Sequence, residues 1–263
     1  LYGFETITYT NNSQDVLDYL WVQLDQNKRA KDSKSPLRNG SGVPVAYRTS
    51  TFTKEYFTEA FDGGFKIEYV RDAQGRPLDY TVNQTMMRVN IPEPLASGAN
   101  ISFSIKWWYN IPDHTINRAR SGYEFFAKDG NRAYVIAQFF PRMAVYSDVE
   151  GWQNHQFWGS GEFALPFGNY EVEITVPADH VLDATGELQN RKEVFSREMM
   201  RRYEQAKKSY QEPVMIVTQE EVEQAERGFS ENTKTWKFRA ENVRDYAFAT
   251  SRKFIWDMMA VKI

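Results

Sequence analysis

The side chains able to do chemistry are few. The chain has no cysteine and only three histidines, His114, His155 and His180, so disulfides, thiolate nucleophiles and cysteine-held zinc or iron–sulfur centres are excluded. A hydrolytic zinc takes three protein ligands and an open water position, with imidazole the usual donor where thiolate is absent. No H-E-x-x-H spacing joins two of these histidines, so they read as surface or hydrogen-bonded imidazoles. Gly159-Ser160-Gly161 lacks the G-x-S-x-G spacing of an exposed nucleophilic serine and reads as a tight turn before a strand at Phe163. Neither G-x-G-x-x-G nor G-x-x-x-x-G-K-[ST] occurs, which removes the phosphate cradles. Carboxylates are plentiful, and an acid and base pair for glycoside cleavage is defined by separation in space. Asp148, Glu150 and Glu162, around a Gly- and Trp-rich stretch, are the first candidates, with loop capping and surface charge as the simpler reading of each. Asn11, Asn39, Asn83 and Asn100 open N-x-S/T sequons, which matter only in a eukaryotic secretory protein.

The elements that must carry any such groups are mostly strands. Ile101, Phe103, Ile105 and Trp107 alternate with Ser102, Ser104 and Lys106, and Tyr170, Val172, Ile174 and Val176 alternate with Glu171, Glu173 and Thr175. Phe65, Ile67 and Tyr69, and Trp236 with Phe238, show the same period of two, the mark of sheets with one wet face. Asp129-Gly130, between Phe125-Phe126 and Tyr134-Val135-Ile136, predicts a hairpin. Gln74-Gly75-Arg76-Pro77 and Asn11-Asn12-Ser13 predict turns. Lys28 to Pro44, rich in charge, Ser and Gly, reads as a long loop. Two helices interrupt the pattern as an insertion over about 191–227. One starts at Asn190 with Glu193 three residues on and places Phe195, Met199, Tyr203 and Ala206 on one face. The other covers about Gln219 to Arg227, is solvated on most sides and stops at Gly228. The fold class expected is all-β.

A length of 263 residues suits one large or two small domains, and the 15% aromatic content favours strands. The net charge of −3 gives no electrostatic footprint for nucleic acid. No apolar run approaches the roughly 18 residues that span a bilayer. The least regular stretch is Gln138 to Gly161, QFFPRMAVYSDVEGWQNHQFWGSG, where Pro141 removes a ladder donor and Tyr146, Trp152, Phe157 and Trp158 crowd a loop-like segment. It either packs as a second core or offers aromatic platforms to a ligand or partner domain.

That segment and its surroundings resemble the N-terminal domain of the zinc metallo-aminopeptidases of the membrane alanyl aminopeptidase type, in a bacterial subgroup. The stretches that carry the resemblance are ETITYTNNS at Glu5 to Ser13, LWVQLDQN at Leu20 to Asn27 and QFFPRMAVYSDVEGW at Gln138 to Trp152. GEFALPFGNYEVEITVPADHVLDATGELQN at Gly161 to Asn190 and ENVRDYAFATSRKFIWD at Glu241 to Asp257 complete it, in the family's order and nearly end to end. The resemblance implies a single domain over 1–263, a saddle-shaped, many-stranded β-sandwich truncated at both ends, which in the parent precedes a thermolysin-like catalytic domain. It implies no catalytic residue, metal ligand or cofactor in this chain, zinc in the missing catalytic domain, that domain and peptide substrates as partners, and export to the periplasm or envelope of a bacterium. The family places a Gln or Glu of this domain at the substrate's free amino group, within a short T-Q-x-E-like stretch on a strand, and Gln138, in A-Q-F-F-P, is the position that best resembles it, although the spacing after it differs from better known members. A different class of reading is a free-standing carbohydrate- or peptide-binding β-sandwich that uses Trp107 or Trp108 with Trp152 and Trp158 as stacking rings. The consecutive Trp107 and Trp108 face opposite sides of a strand, so at most one of them joins a platform.

Overall fold

The computed structural model describes residues 1–35, 46, 48–50, 53, 61–117, 119–159 and 164–262. It is all-β, with antiparallel sheets throughout, and divides into two compact units: Leu1–Pro112 with Gln138–Pro166, and Asp113–Ala137 with Phe167–Ile263. Ser160, Gly161, Glu162 and Phe163, the sequon at Asn39 and residues 36–44 of the expected long loop lie outside the described residues.

The first unit holds strands β1 (Tyr2–Thr10), β2 (Leu17–Gln23), β3 (Lys66–Asp72), β4 (Tyr80–Asn83), β5 (Met86–Leu95) and β6 (Asn100–Trp108), with the short β9 (Arg142–Met143), β10 (Tyr146–Ser147) and β11 (Gly151–Trp152). One sheet runs β1-β6-β3 and another β4-β5-β2-β9, while β10 and β11 form a hairpin. Phe103, Ile105 and Trp107 are buried on one side of β6, as the alternation predicts. Each stabilises the unit by about 1.5–3 kcal/mol through removal from water. In β3 the pattern slips: the register shifts between Ile67 and Tyr69, so Val70 rather than Tyr69 takes the core position. One extra residue in a strand reverses the facing of everything after it. Gly3 faces Trp107 across the β1–β6 pair, and a Cβ there would lie 2.3 Å from the indole ring, so only glycine lets that ring cross the strand.

The second unit holds the one-turn α1 (His114–Asn117), β7 (Gly122–Phe126), β8 (Asn131–Ala137), β12 (Gly168–Pro177), β13 (Val181–Ala184), β14 (Glu187–Leu188), α2 (Arg191–Val194), α3 (Arg197–Ala206), β15 (Val214–Val217), α4 (Gln219–Ala225), β16 (Thr233–Val243), β17 (Ala247–Ser251) and β18 (Trp256–Met258). Its sheets are ordered β13-β17-β8-β7, β12-β16-β14 and β15-β18. The Asp129-Gly130 turn joins β7 to β8, with Gly130 at φ 72. The helix expected from Asn190 is interrupted: α2 ends at Val194, Phe195 is extended, and the Ser196 hydroxyl accepts from the Met199 amide to start α3 afresh. A serine that caps a new first turn competes with continuation of the old helix. The break seats Phe195 edge-on against Trp236, Trp256 and Tyr203. Thr218 and Glu221 form a capping box on α4, which buries Val222.

Candidate functional site

The site expected from sequence centres on Gln138, which follows β8 immediately. It is a bend residue with φ 54, a left-handed conformation that costs a non-glycine residue about 1–2 kcal/mol. Its main chain is fixed from two directions within the first unit. The Gln26 side-chain amide donates to the Gln138 carbonyl at 2.8 Å, and the Trp107 indole N–H donates to the next carbonyl, that of Phe139, at 3.1 Å. The Gln138 side-chain amide is half-buried and makes no hydrogen bond among the described residues. A strained backbone with a free polar tip is an arrangement found where a side chain is presented to a ligand.

Beneath this bend lies a buried polar cluster built from the 3-10 turn Asp25–Arg29, the end of the LWVQLDQN stretch and its continuation. Asp25, Gln26 and Asn27 are all buried. The Arg142 guanidinium donates to Asp25 Oδ2 through Nε at 3.1 Å and Nη2 at 2.7 Å, both side chains being at most 3% exposed. Arg29 Nη1 donates to Gln26 Oε1 at 3.1 Å, which orients the Gln26 amide toward Gln138. Asn27 donates to the Gln84 carbonyl and accepts from the Phe65 amide. Burial lowers the pKa of Arg29, partly offset by the nearby Tyr109, and pushes the Tyr109 phenol well up. Arg29 has no carboxylate partner among the described residues.

The rest of the irregular segment is sewn onto the same unit. Tyr146 donates to Asp15 at 2.6 Å, and Trp152 packs its ring against Tyr9 and Tyr146. Gln156 accepts from both the amide and the hydroxyl of Thr85, Phe157 is buried with Lys28 over its ring, and Ser35 donates to the Trp158 carbonyl. Of residues 28–35 of the expected loop, Lys28 and Ser35 are held in this way, while Lys31, Asp32 and Lys34 are exposed. Tyr146, Trp152 and Trp158 each keep a partly exposed edge. Trp107 is buried and unavailable as a platform, while Trp108 stacks on the exposed Tyr2.

The other candidates separate. Asp148 and Glu150 are exposed at the tip of the β10–β11 hairpin, where the Glu150 amide donates to the Ser147 hydroxyl. His114 is exposed beside Glu124 at 3.4 Å, His155 is exposed in the first unit, and His180 is buried against the Thr250 hydroxyl in the second. Among the described residues no group of three or more His, Asp or Glu side chains is arranged to hold a metal. No described helix is long and apolar enough to cross a membrane. Sequence reasoning passed over Glu5, although its parity with Ile7 and Tyr9 was visible: the carboxylate points inward on β1, Oε1 is buried without a partner, and burial raises its pKa well above the usual range. It passed over the Asp25–Arg142 pair as well, for which no local signal exists.

No protein-family profile matches the chain, and no curated protein sequence is similar to it. Among solved structures, the M1 zinc metallopeptidase of Deinococcus radiodurans is similar at a TM-score of 0.43 and 12% identity, over 94% of this chain and 37% of that one. A mutant of the same enzyme bound to a Tyr-Ser-Ala substrate gives the same values. A mutant two-domain M1 zinc metallopeptidase bound to L-tryptophan is similar at a TM-score of 0.43 and 11% identity, over 95% of this chain and 38% of that one. The chain therefore spans less than two fifths of the length of the structures it resembles.

Proposed function

We propose that this chain is a non-catalytic β domain of a zinc-dependent aminopeptidase, which supports the catalytic domain and presents Gln138 to the free amino terminus of a peptide substrate. The reading rests on the ordered sequence resemblance. The observation that carries its site is the left-handed bend at Gln138, whose carbonyl is tethered to Gln26 while its side-chain amide is left free. An amide oxygen accepts from an α-ammonium without adding charge. Attraction of the ammonium comes from carboxylates of the catalytic domain, which also supplies the zinc. Export to the periplasm or envelope of a bacterium belongs to the same proposal.

The test is kinetic. In the full-length parent enzyme, Gln138→Ala raises KM for L-alanyl-p-nitroanilide about tenfold with little change in kcat, the worth of one hydrogen bond to a charged donor. An unchanged KM sinks the role of Gln138. The 263-residue chain by itself, supplied with zinc, gives no turnover of the same substrate. Clear turnover overturns the whole assignment, as does a parent gene without H-E-x-x-H in the next domain-sized stretch of about 150 residues.

A further inference from the structure

The second unit contains a pocket of about 210 Å³ that the aminopeptidase reading does not use. Its walls come from the β12–β13 turn, the ends of α2 and β15, the start of α3, one face of α4, and β16. An apolar cavity of about 150 Å³ holds a benzene molecule, so this space takes a ligand of ring size with a small substituent.

The charges on the wall are paired with one exception. Asp179 accepts from Arg252 and from the Ser230 amide. Glu221 accepts from Arg202 and from the Thr218 amide. His180 is bound to Thr250, and burial together with the Arg252 charge lowers its pKa, so it is neutral at pH 7. Lys234 makes only a 3.5 Å contact to the Val194 carbonyl and has no carboxylate partner among the described residues. On the same strand Trp236, 1% exposed, carries an indole N–H with no hydrogen-bond acceptor. The unmet groups are thus a cation and a donor, beside an apolar floor of Met199, Val217 and Val222.

We propose that this pocket binds a small monocarboxylate with an apolar arm about the size of a benzene ring, its carboxylate meeting Lys234 and its arm lying on Met199, Val217 and Val222. Calorimetric titration of the chain at pH 7 with phenylacetate, and in parallel with the uncharged phenylacetamide, tests it. Phenylacetate binds with a Kd below about 1 mM, and the amide binds at least roughly tenfold more weakly. Lys234→Met, with the fold checked by circular dichroism, reduces phenylacetate affinity by roughly tenfold or more. Met199→Trp, which fills the pocket and leaves Lys234 in place, abolishes binding and serves if the first variant does not fold. Absence of phenylacetate binding, equal binding of acid and amide, or wild-type affinity in a folded variant overturns the proposal.

Discussion

Replacement of Arg142 by methionine isolates the energetics of the cluster that holds Gln138. The guanidinium donates twice to Asp25 Oδ2, at 3.1 and 2.7 Å, and the two side chains are 3% and 0% exposed. Methionine retains most of the buried volume, so the cavity contribution is small. What changes is that a carboxylate shut off from water loses both guanidinium donors on Oδ2, and breaking a buried ion pair costs about 3–5 kcal/mol. Against a total stability of about 5–15 kcal/mol, that is a large share. At roughly 3 kcal/mol per molar urea, the unfolding midpoint falls by more than about 1 M. Asp25→Asn combined with Arg142→Met removes the buried carboxylate charge as well, so the double variant recovers most of the loss. Peptide-resolved hydrogen exchange locates the effect: residues 17–27 and 138–147 lose protection in Arg142→Met, whereas β12 and β16 keep theirs. A loss below about 1 kcal/mol, or a double variant no more stable than the single, refutes the reasoning.

Other perturbations probe separate links. Gln138→Gly removes the left-handed penalty at φ 54 and raises Tm by about 2 °C, while Gln138→Val lowers it; a lower Tm for the glycine variant would show that the glutamine side chain is a structural contact. Glu5 has a folded pKa raised above its unfolded value, so the folded state binds more protons, and stability falls as pH rises from about 4.5 toward the folded pKa. Glu5→Gln is therefore more stable than the parent chain in urea at pH 8, with a gap that shrinks at pH 4; a gap independent of pH contradicts the placement of that carboxylate. Gly186 has φ 94, and a Cβ there would stand 2.5 Å from the Arg239 carbonyl oxygen, so Gly186→Ala costs about 2 kcal/mol or more in thermal unfolding, and a neutral substitution means that β14 does not pack on β16 as described.

The sequence by itself determined what depends on near neighbours. The alternation in β6, β12 and β16 specifies strands with one buried face, because side chains of an extended backbone point to opposite sides in turn. Asp129-Gly130 specifies a hairpin because glycine enters the left-handed region freely. The second helix, read from the acidic stretch at about Gln219 to Arg227, forms over Gln219–Ala225, where Thr218 and Glu221 cap it. Even the break before α3 has a local sign in Ser196, though the periodicity of Phe195, Met199, Tyr203 and Ala206 conceals it.

Tertiary structure decided everything that needs a distant partner. The bulge in β3 exists only relative to β6, so the parity of Tyr69 and Val70 is not readable from β3 alone. Gln138 is an ordinary residue in the sequence; Gln26, 112 positions away, tethers its carbonyl at the left-handed bend. Asp25 and Arg142, 117 positions apart, look like surface charges until folding removes both from water. Periodicity records which side of a strand meets solvent, whereas desolvation and charge pairing act between groups brought together by the fold, and no short stretch of chain carries that information.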